Sequence, residues 1–209
     1  MAKPIMVVGT SAPRRREIAQ THFGDAFDLE YLSPDIDEKQ FRSADPFSLT
    51  SLIAHGKMAA LREKIAEDAD LQARLAQRPG SVAVTFDQVV YYHNEIREKP
   101  ESLEEAIAFI RSYSNNQLGT VMTTVLYSFA QDRMLSMPNT TLTFYREIPA
   151  DAIARVVERG QCFHTAGAFV VEDADMKKSE VKIEPGTEEE VCGFSENSVR
   201  ALLDDVNAA

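Results

Sequence analysis

The sequence predicts an α/β protein, because short apolar runs rich in β-branched residues alternate with longer segments of helical period along the whole chain. Helix-start chemistry recurs ahead of the helical segments: Ser102 with Glu105 makes a capping box, and Pro46 follows Asp45. With 209 residues and 44% hydrophobic content, the chain can bury a sizeable core, as one domain or as two lobes around a cleft.

Taken in order, residues 4–9 read as a buried strand, followed by a small-residue loop and a helix over 13–22 that opens on Pro13. A strand over 27–32 precedes an acidic turn, and one helical pattern runs over 46–76. Arg78-Pro79-Gly80-Ser81 is a turn leading into a strand over 82–92. A helix over 101–113, strands over 119–130 and 140–147, and a helix over 150–159 follow. A strand over 166–172 and a helix over 196–205 complete the pattern, with 184–190 an acidic surface loop. Met134 and Met137 fall in a hairpin as gap-fillers, and the Tyr91-Tyr92 pair alternates across its strand. The middle of the chain can form a second lobe.

A net charge of -11 argues against a nucleic-acid polymer as partner, although local cations can still hold a small anion. Cys162 and Cys192 match no metal spacing and cannot build a disulfide framework, which favours a reducing, cytoplasmic setting. The apolar start is too short for a signal peptide, and no run is long enough to span a bilayer, so no membrane partner is expected. His55, His93 and His164 have no metal-ligand spacing.

Four groups of residues can carry chemistry. Arg14-Arg15-Arg16 stands at the positive end of the first helix, an unfavourable place for three guanidinium groups unless an anion such as phosphate lies among them. The alternative is a solvated basic turn paired with acids such as Asp25 or Glu30. Asp35, Asp37 and Glu38 follow a strand directly, and such clustered carboxylates suit a hard divalent cation or form an exposed acidic turn. Asp87 interrupts a run of strand-forming residues; buried there it needs a metal, a cation or a catalytic task, or else bonds backbone N–H groups at a bulge. Lys57, four residues after Ile53, shares the apolar face of its helix, and Lys99 precedes Pro100 ahead of the capped helix. Both lysines are expected to point inwards, with snorkelling to solvent as the alternative. Arg14, Arg15, Lys57 and Lys99 with Glu38 and Asp87 make the mix that a metal-bound polyphosphate requires.

The blocks Thr10-Ser11-Ala12-Pro13-Arg14-Arg15, Asp35-Ile36-Asp37-Glu38, Ile53-Ala54-His55-Gly56-Lys57, Asp87-Gln88-Val89 with Lys99-Pro100, and Thr165-Ala166-Gly167-Ala168-Phe169 stand in this order over nearly the whole chain. Together with Val191-Cys192-Gly193-Phe194 they resemble the Maf (septum formation) family of nucleoside triphosphate pyrophosphatases. The resemblance implies one Maf-like domain over 1–209, with a mixed twisted sheet, flanking helices and two lobes around a cleft, as in inosine triphosphate pyrophosphatases. It also implies a Mg²⁺ or Mn²⁺ cofactor and a homodimer.

Position by position, the resemblance makes Asp87 the catalytic acid of the family, a general base, and Glu38 a metal-linked carboxylate. It makes Arg15, Lys57 and Lys99 the phosphate-binding cations. Thr10 keeps a hydroxyl where the family has serine, whereas Ala12 replaces a second serine, and a Ser-Gly-x-x-His stretch is degraded at Ser114-Asn115-Asn116-Gln117-Leu118-Gly119. Base preference follows three positions, here Arg14, Gln88 and Glu172. Arg14 matches the dTTP and UTP branch, while Gln88 and Glu172 match the branch resembling 7-methyl-GTP pyrophosphatases. A carboxylate accepts the guanine N1–H and N2–H donors, and it repels pyrimidine carbonyls. The expected activity is hydrolysis of a nucleoside triphosphate, 7-methyl-GTP first, to the monophosphate and diphosphate. The alternatives are a dTTP/UTP pyrophosphatase and a catalytically weak nucleotide-binding regulator of cell division; the Arg-rich first loop disfavours a house-cleaning enzyme for deaminated purines.

Overall fold

The computed structural model describes residues 2–208. Its strands are β1 (Ile5–Gly9), β2 (Asp28–Leu32), β3 (Val82–Tyr92), β4 (Glu95–Arg97), β5 (Gln117–Ser128), β6 (Arg133–Tyr145) and β7 (Glu180–Ile183). The helices are α1 (Pro13–Phe23), α2 (Pro46–Glu67), α3 (Ala69–Ala76), α4 (Leu103–Ser112), α5 (Ala150–Glu158), α6 (Ala174–Ser179), α7 (Glu188–Val191) and α8 (Glu196–Asn207). The strands make one mixed sheet in the order β2-β1-β3-β5-β6-β7, with β4 paired to β3. β1 is parallel to β2 and β3, while β3–β4 and β6–β7 are antiparallel.

The chain divides into two compact units. The first takes the chain up to Asp87, then Met122–Asn139 and everything from Cys192. Its layering follows from strand alternation, because neighbouring residues point to opposite faces. Met6, Val8, Val82, Val84 and Phe86 pack with Ile18 and Phe23 of α1 and Val199 and Leu202 of α8. Ile5, Val7, Ala83 and Val125 pack with Ala54, Met58 and Leu61 of α2 and with Leu71 and Leu75 of α3. Helices thus cover both faces, which is why β1 reads as a continuous apolar run.

The second unit comprises Gln88–Val121 and Thr140–Val191. Arg97 is buried in it, with Tyr92, Phe109 and Tyr113 ring centroids at 4.1, 4.5 and 5.2 Å and its Nη1 donating to Ser112 Oγ at 2.7 Å. Stacking of this kind lets a guanidinium stay charged away from water. Burial pushes the Tyr113 phenol up to about 12, so it remains a donor, and it bonds Gly167 O at 2.7 Å.

Several sequence expectations are corrected. The pattern over 46–76 is two helices, because Asp68 leaves helical geometry (φ -98, ψ 91) and caps α3 by accepting from Leu71 N at 2.9 Å. Residues 166–172 form no strand: Gly167 (φ 61) and Ala168 (φ 52) are left-handed, and the segment folds as a 3-10 turn. A Cβ at Gly167 would lie 2.8 Å from Tyr113 Oη and from Val90 Cγ1, so only glycine fits. β6 starts at Arg133 and runs through Pro138, five residues ahead of Thr143, where its pairing with β7 begins, so it is longer than the strand expected over 140–147. The acidic stretch ahead of Val191 ends in α7, with Glu190 buried.

Candidate functional site

β1 ends at Gly9, where a Cβ would meet Thr85 Cγ2 at 2.6 Å, and the chain turns at Thr10. Thr10 is buried and its Oγ1 accepts from Ala12 N at 3.1 Å, shaping the loop into α1. Ala12 offers no side-chain cap and the first turn of α1 holds no acid, so the positive end of this helix has no anion of its own. This loop, Arg15, Lys57 and the segment Ser33–Ile36 with Glu38 line a concave pocket of about 270 Å³, all within the first unit.

The arginine triplet separates. Successive helical residues point about 100° apart, so one of three can face the pocket. Arg15 does so, half-buried, 5.9 Å from the Phe86 ring centroid. Arg14 pairs with Glu17 at 3.3 Å, and Arg16 lies over Tyr31 at 5.3 Å with its Nη2 on Thr10 O at 3.3 Å. The expectation of three guanidinium groups around one anion, Arg14 included, is therefore corrected to Arg15 alone. The proposed pairing partner Glu30 goes instead to Arg74, at 2.6 Å. Burial lowers the pKa of Arg15, opposed by Asp87, Glu38 and Cys192, and the group stays charged.

The acidic turn also separates. Asp35 is bound by Ser33 and Lys64, and Asp37 accepts from Lys39 N at 3.1 Å as the cap of a 3-10 turn, Glu38–Gln40. Asp35 lines the pocket with its carboxylate held by Ser33 and Lys64, and of the three acids only Glu38 meets Lys57, so the three-carboxylate cluster is corrected to Glu38 beside a pocket-wall Asp35. Lys57 Nζ donates to Glu38 Oε1 at 2.7 Å, to Asp87 Oδ1 at 2.8 Å and to Phe86 O at 3.4 Å. Three donors meet three acceptors, so the inward Lys57 bridges two carboxylates.

Asp87 is 5% exposed, and its bulge alternative fails, since its partner is Lys57. Burial raises its pKa, opposed by Lys57 and Arg15 and reinforced by Glu38. Its Oδ2 is buried and has no hydrogen-bond partner. An anionic oxygen left this way costs free energy unless a cation, a water or a ligand meets it. Asp87 Oδ2 and the half-exposed Glu38 carboxylate are hard oxygen donors of the kind that Mg²⁺ or Mn²⁺ takes, so the donor set fits such an ion.

Gln88, Lys99 and Glu172 belong to the second unit and do not line this pocket. Gln88 Nε2 donates to Glu190 O at 2.6 Å. Lys99 is exposed, which corrects the expectation that it points inwards, and Glu172 sits exposed on the turn before α6. Sequence reasoning missed three supports of the site. Lys64, one heptad beyond Lys57 on α2, donates to Ser33 O at 2.8 Å and to Asp35, tying the pocket loop to the helix. Gly56 gives Phe41 its seat, since a Cβ there would lie 2.6 Å from Phe41 Cζ. Gly193 makes room for Arg15. The seven-residue lysine spacing was a readable signal, and both glycines stand in blocks that carry the family resemblance, Gly56 before Lys57 and Gly193 before Phe194, although their contacts cannot be read there.

The sequence profile described as Maf-like protein matches residues 5–206. The chain belongs to the Maf family. It is 27% identical over 202 residues to a 7-methyl-GTP pyrophosphatase of Dictyostelium discoideum, covering 97% of each chain. It is 28% identical over 171 residues to a dTTP/UTP pyrophosphatase of Chlamydia trachomatis serovar L2, covering 80% of this chain and 78% of the relative. A dTTP/UTP pyrophosphatase of Chlamydia felis is 27% identical over 172 residues, with 82% and 79% covered. Among the described residues, no helix of this Maf-family chain is long and apolar enough to cross a membrane.

Proposed function

We propose that this chain is a divalent-metal-dependent nucleoside triphosphate pyrophosphatase that converts 7-methyl-GTP and water to the monophosphate and diphosphate. The observation that carries the reading is the orphaned, buried Oδ2 of Asp87 beside Glu38, Lys57 and Arg15. Family membership and the activities named for its relatives support it. The chain acts as one Maf-like domain over 1–209, as a homodimer, in the cytoplasm, where its two free cysteines stay reduced.

In this mechanism Arg15 and the open N–H groups of α1 hold the phosphate chain, with Thr10 shaping their loop. Glu38 and Asp87 would hold Mg²⁺ or Mn²⁺, which would supply positive charge to offset the phosphate oxygens. Asp87, with its pKa raised by burial, accepts a proton from the attacking water. The water oxygen bonds to the α-phosphorus, the bond from that phosphorus to the bridging oxygen breaks, and diphosphate leaves with the electron pair. Lys57 keeps both carboxylates in place, and the family resemblance gives the exposed Lys99 a phosphate-binding role. Gln88 and Glu172 read the base, with the Glu172 carboxylate accepting from guanine and favouring a ring made cationic by methylation.

The test is a comparison of kcat/KM for 7-methyl-GTP, UTP and dTTP with Mg²⁺ or Mn²⁺, on the wild type and Glu172→Gln. The expected outcome is 7-methyl-GTP at least as efficient as either pyrimidine, a shift towards pyrimidines in the variant, and no turnover with chelator. A wild type preferring UTP or dTTP by about tenfold, roughly 1.4 kcal/mol, rejects the base assignment. The dTTP/UTP activity is the second reading, favoured by the Chlamydia relatives.

A further inference from the structure

Arg15 is held from a part of the chain nearly 180 positions away. Gly193 has φ 89, a left-handed backbone, and a Cβ added to it would stand 2.5 Å from Arg15 Nη2, 2.8 Å from Nε and 3.0 Å from Cζ. Those are the guanidinium's own atoms, so the missing side chain is the space that the guanidinium fills. On another side lies the Phe86 ring, 5.9 Å from Arg15 Cζ. Phe194, fully buried, follows Gly193 and packs its ring 4.7 Å from Phe86 and 6.1 Å from Phe23 of α1. The aromatic anchor fixes where Gly193 sits, and Gly193 fixes where the guanidinium can be. All of these residues belong to the first unit.

We infer that Gly193 is a positioning residue for anion binding: it holds the Arg15 guanidinium against the pocket, and any side chain there displaces it. A glycine kept only for its backbone would serve a left-handed turn, and its replacement would cost stability without touching the ligand. A glycine kept for the guanidinium costs affinity through Arg15 and only through Arg15. The inference deepens the phosphate-binding role proposed above and rests on it.

The test is calorimetric titration of the full chain with inorganic triphosphate, on the wild type, Arg15→Ala, Gly193→Ala and the double variant, with thermal melts of all four. Arg15→Ala and Gly193→Ala are each expected to weaken binding roughly tenfold or more, the loss of one charge-assisted contact. The double variant is expected to bind no worse than Arg15→Ala alone, because the contact is already gone. Its melt is expected to recover part of the stability lost in Gly193→Ala, since the clash is relieved while the backbone strain remains. If Gly193→Ala does not fold, Gly193→Asn, whose side chain tolerates a left-handed backbone, takes its place, and wild-type affinity in that variant overturns the inference. Wild-type affinity in Gly193→Ala, multiplied losses in the double variant, or no binding to the wild type also overturn it. A wild type that binds triphosphate with this pattern yet hydrolyses no nucleotide defeats the proposed activity alone.

Discussion

Replacing Lys57 with methionine is expected to destabilise the protein by about 3–5 kcal/mol near neutral pH, the cost of leaving a buried carboxylate without its counter-ion. The ammonium lies 2.8 Å from Asp87 Oδ1 and 2.7 Å from Glu38 Oε1, and Asp87 is 5% exposed, so water cannot screen the loss at Asp87. Methionine keeps an unbranched stem, which confines the change to charge and hydrogen bonding. For a chain of this length each kcal/mol moves the thermal midpoint by about 2–4 °C, which places the fall at roughly 6–20 °C. The deficit depends on pH. Burial holds the native pKa of Asp87 above its ordinary value, so the native chain keeps that proton to higher pH than the unfolded chain does. The resulting contribution is fully present below the ordinary aspartate pKa and is lost as pH rises through the native one. Lys57 opposes that loss, and without it the native pKa climbs further and the loss deepens. Urea unfolding followed by circular dichroism, at about pH 4 and about pH 8, gives both numbers. The variant's deficit should be several-fold larger at the higher pH. A deficit under about 1 kcal/mol there, or one equal at the two pH values, refutes the buried-pair argument.

Asp87→Asn keeps side-chain volume but loses basicity and charge, so turnover is expected to fall by roughly 10² or more while triphosphate binding survives; steady-state rates and calorimetry check this. Arg15→Ala should raise the KM for nucleotide roughly tenfold, whereas Arg14→Ala and Arg16→Ala, whose guanidinium groups lie on Glu17 and Tyr31, should leave it within about twofold. Gly56→Ala gains about 1 kcal/mol of helix propensity only where Phe41 is gone, so unfolding curves should show stabilisation in a Phe41→Ala background and none in the wild type.

The fold was legible where local period and packing agree. β3 matches its expected range and α1 and α5 lie within one residue of theirs, because β3 is an unbroken run of strand formers around Asp87, Pro13 opens α1, and α5 carries Ala152, Ile153, Val156 and Val157 at helical spacing. It was illegible where a single contact overrides propensity. Residues 166–172 carry strand-like composition, yet Tyr113 and Val90 crowd Gly167 into a left-handed turn. Asp68 is an ordinary polar residue of a helical pattern until its carboxylate finds Leu71 N. In the site, a lone acid among β-branched residues marked Asp87, and four-residue spacing from Ile53 marked Lys57. The family resemblance singled out Arg15 of the three arginines, while local pattern did not, because which one faces the pocket depends on the phase of α1 against β1 and on Gly193 far along the chain. The inward expectation for Lys99 fails for the related reason that a residue three positions ahead of the Ser102 cap lies on no helix face.

The central claim is that water, directed by Asp87, attacks the α-phosphorus of a nucleoside triphosphate. Hydrolysis of 7-methyl-GTP in heavy-oxygen water, with the products weighed by mass spectrometry, tests it most directly. The label is expected in the nucleoside monophosphate, with unlabelled diphosphate released in equal amount and no orthophosphate. Label in the diphosphate, or release of orthophosphate with a nucleoside diphosphate, would contradict the account.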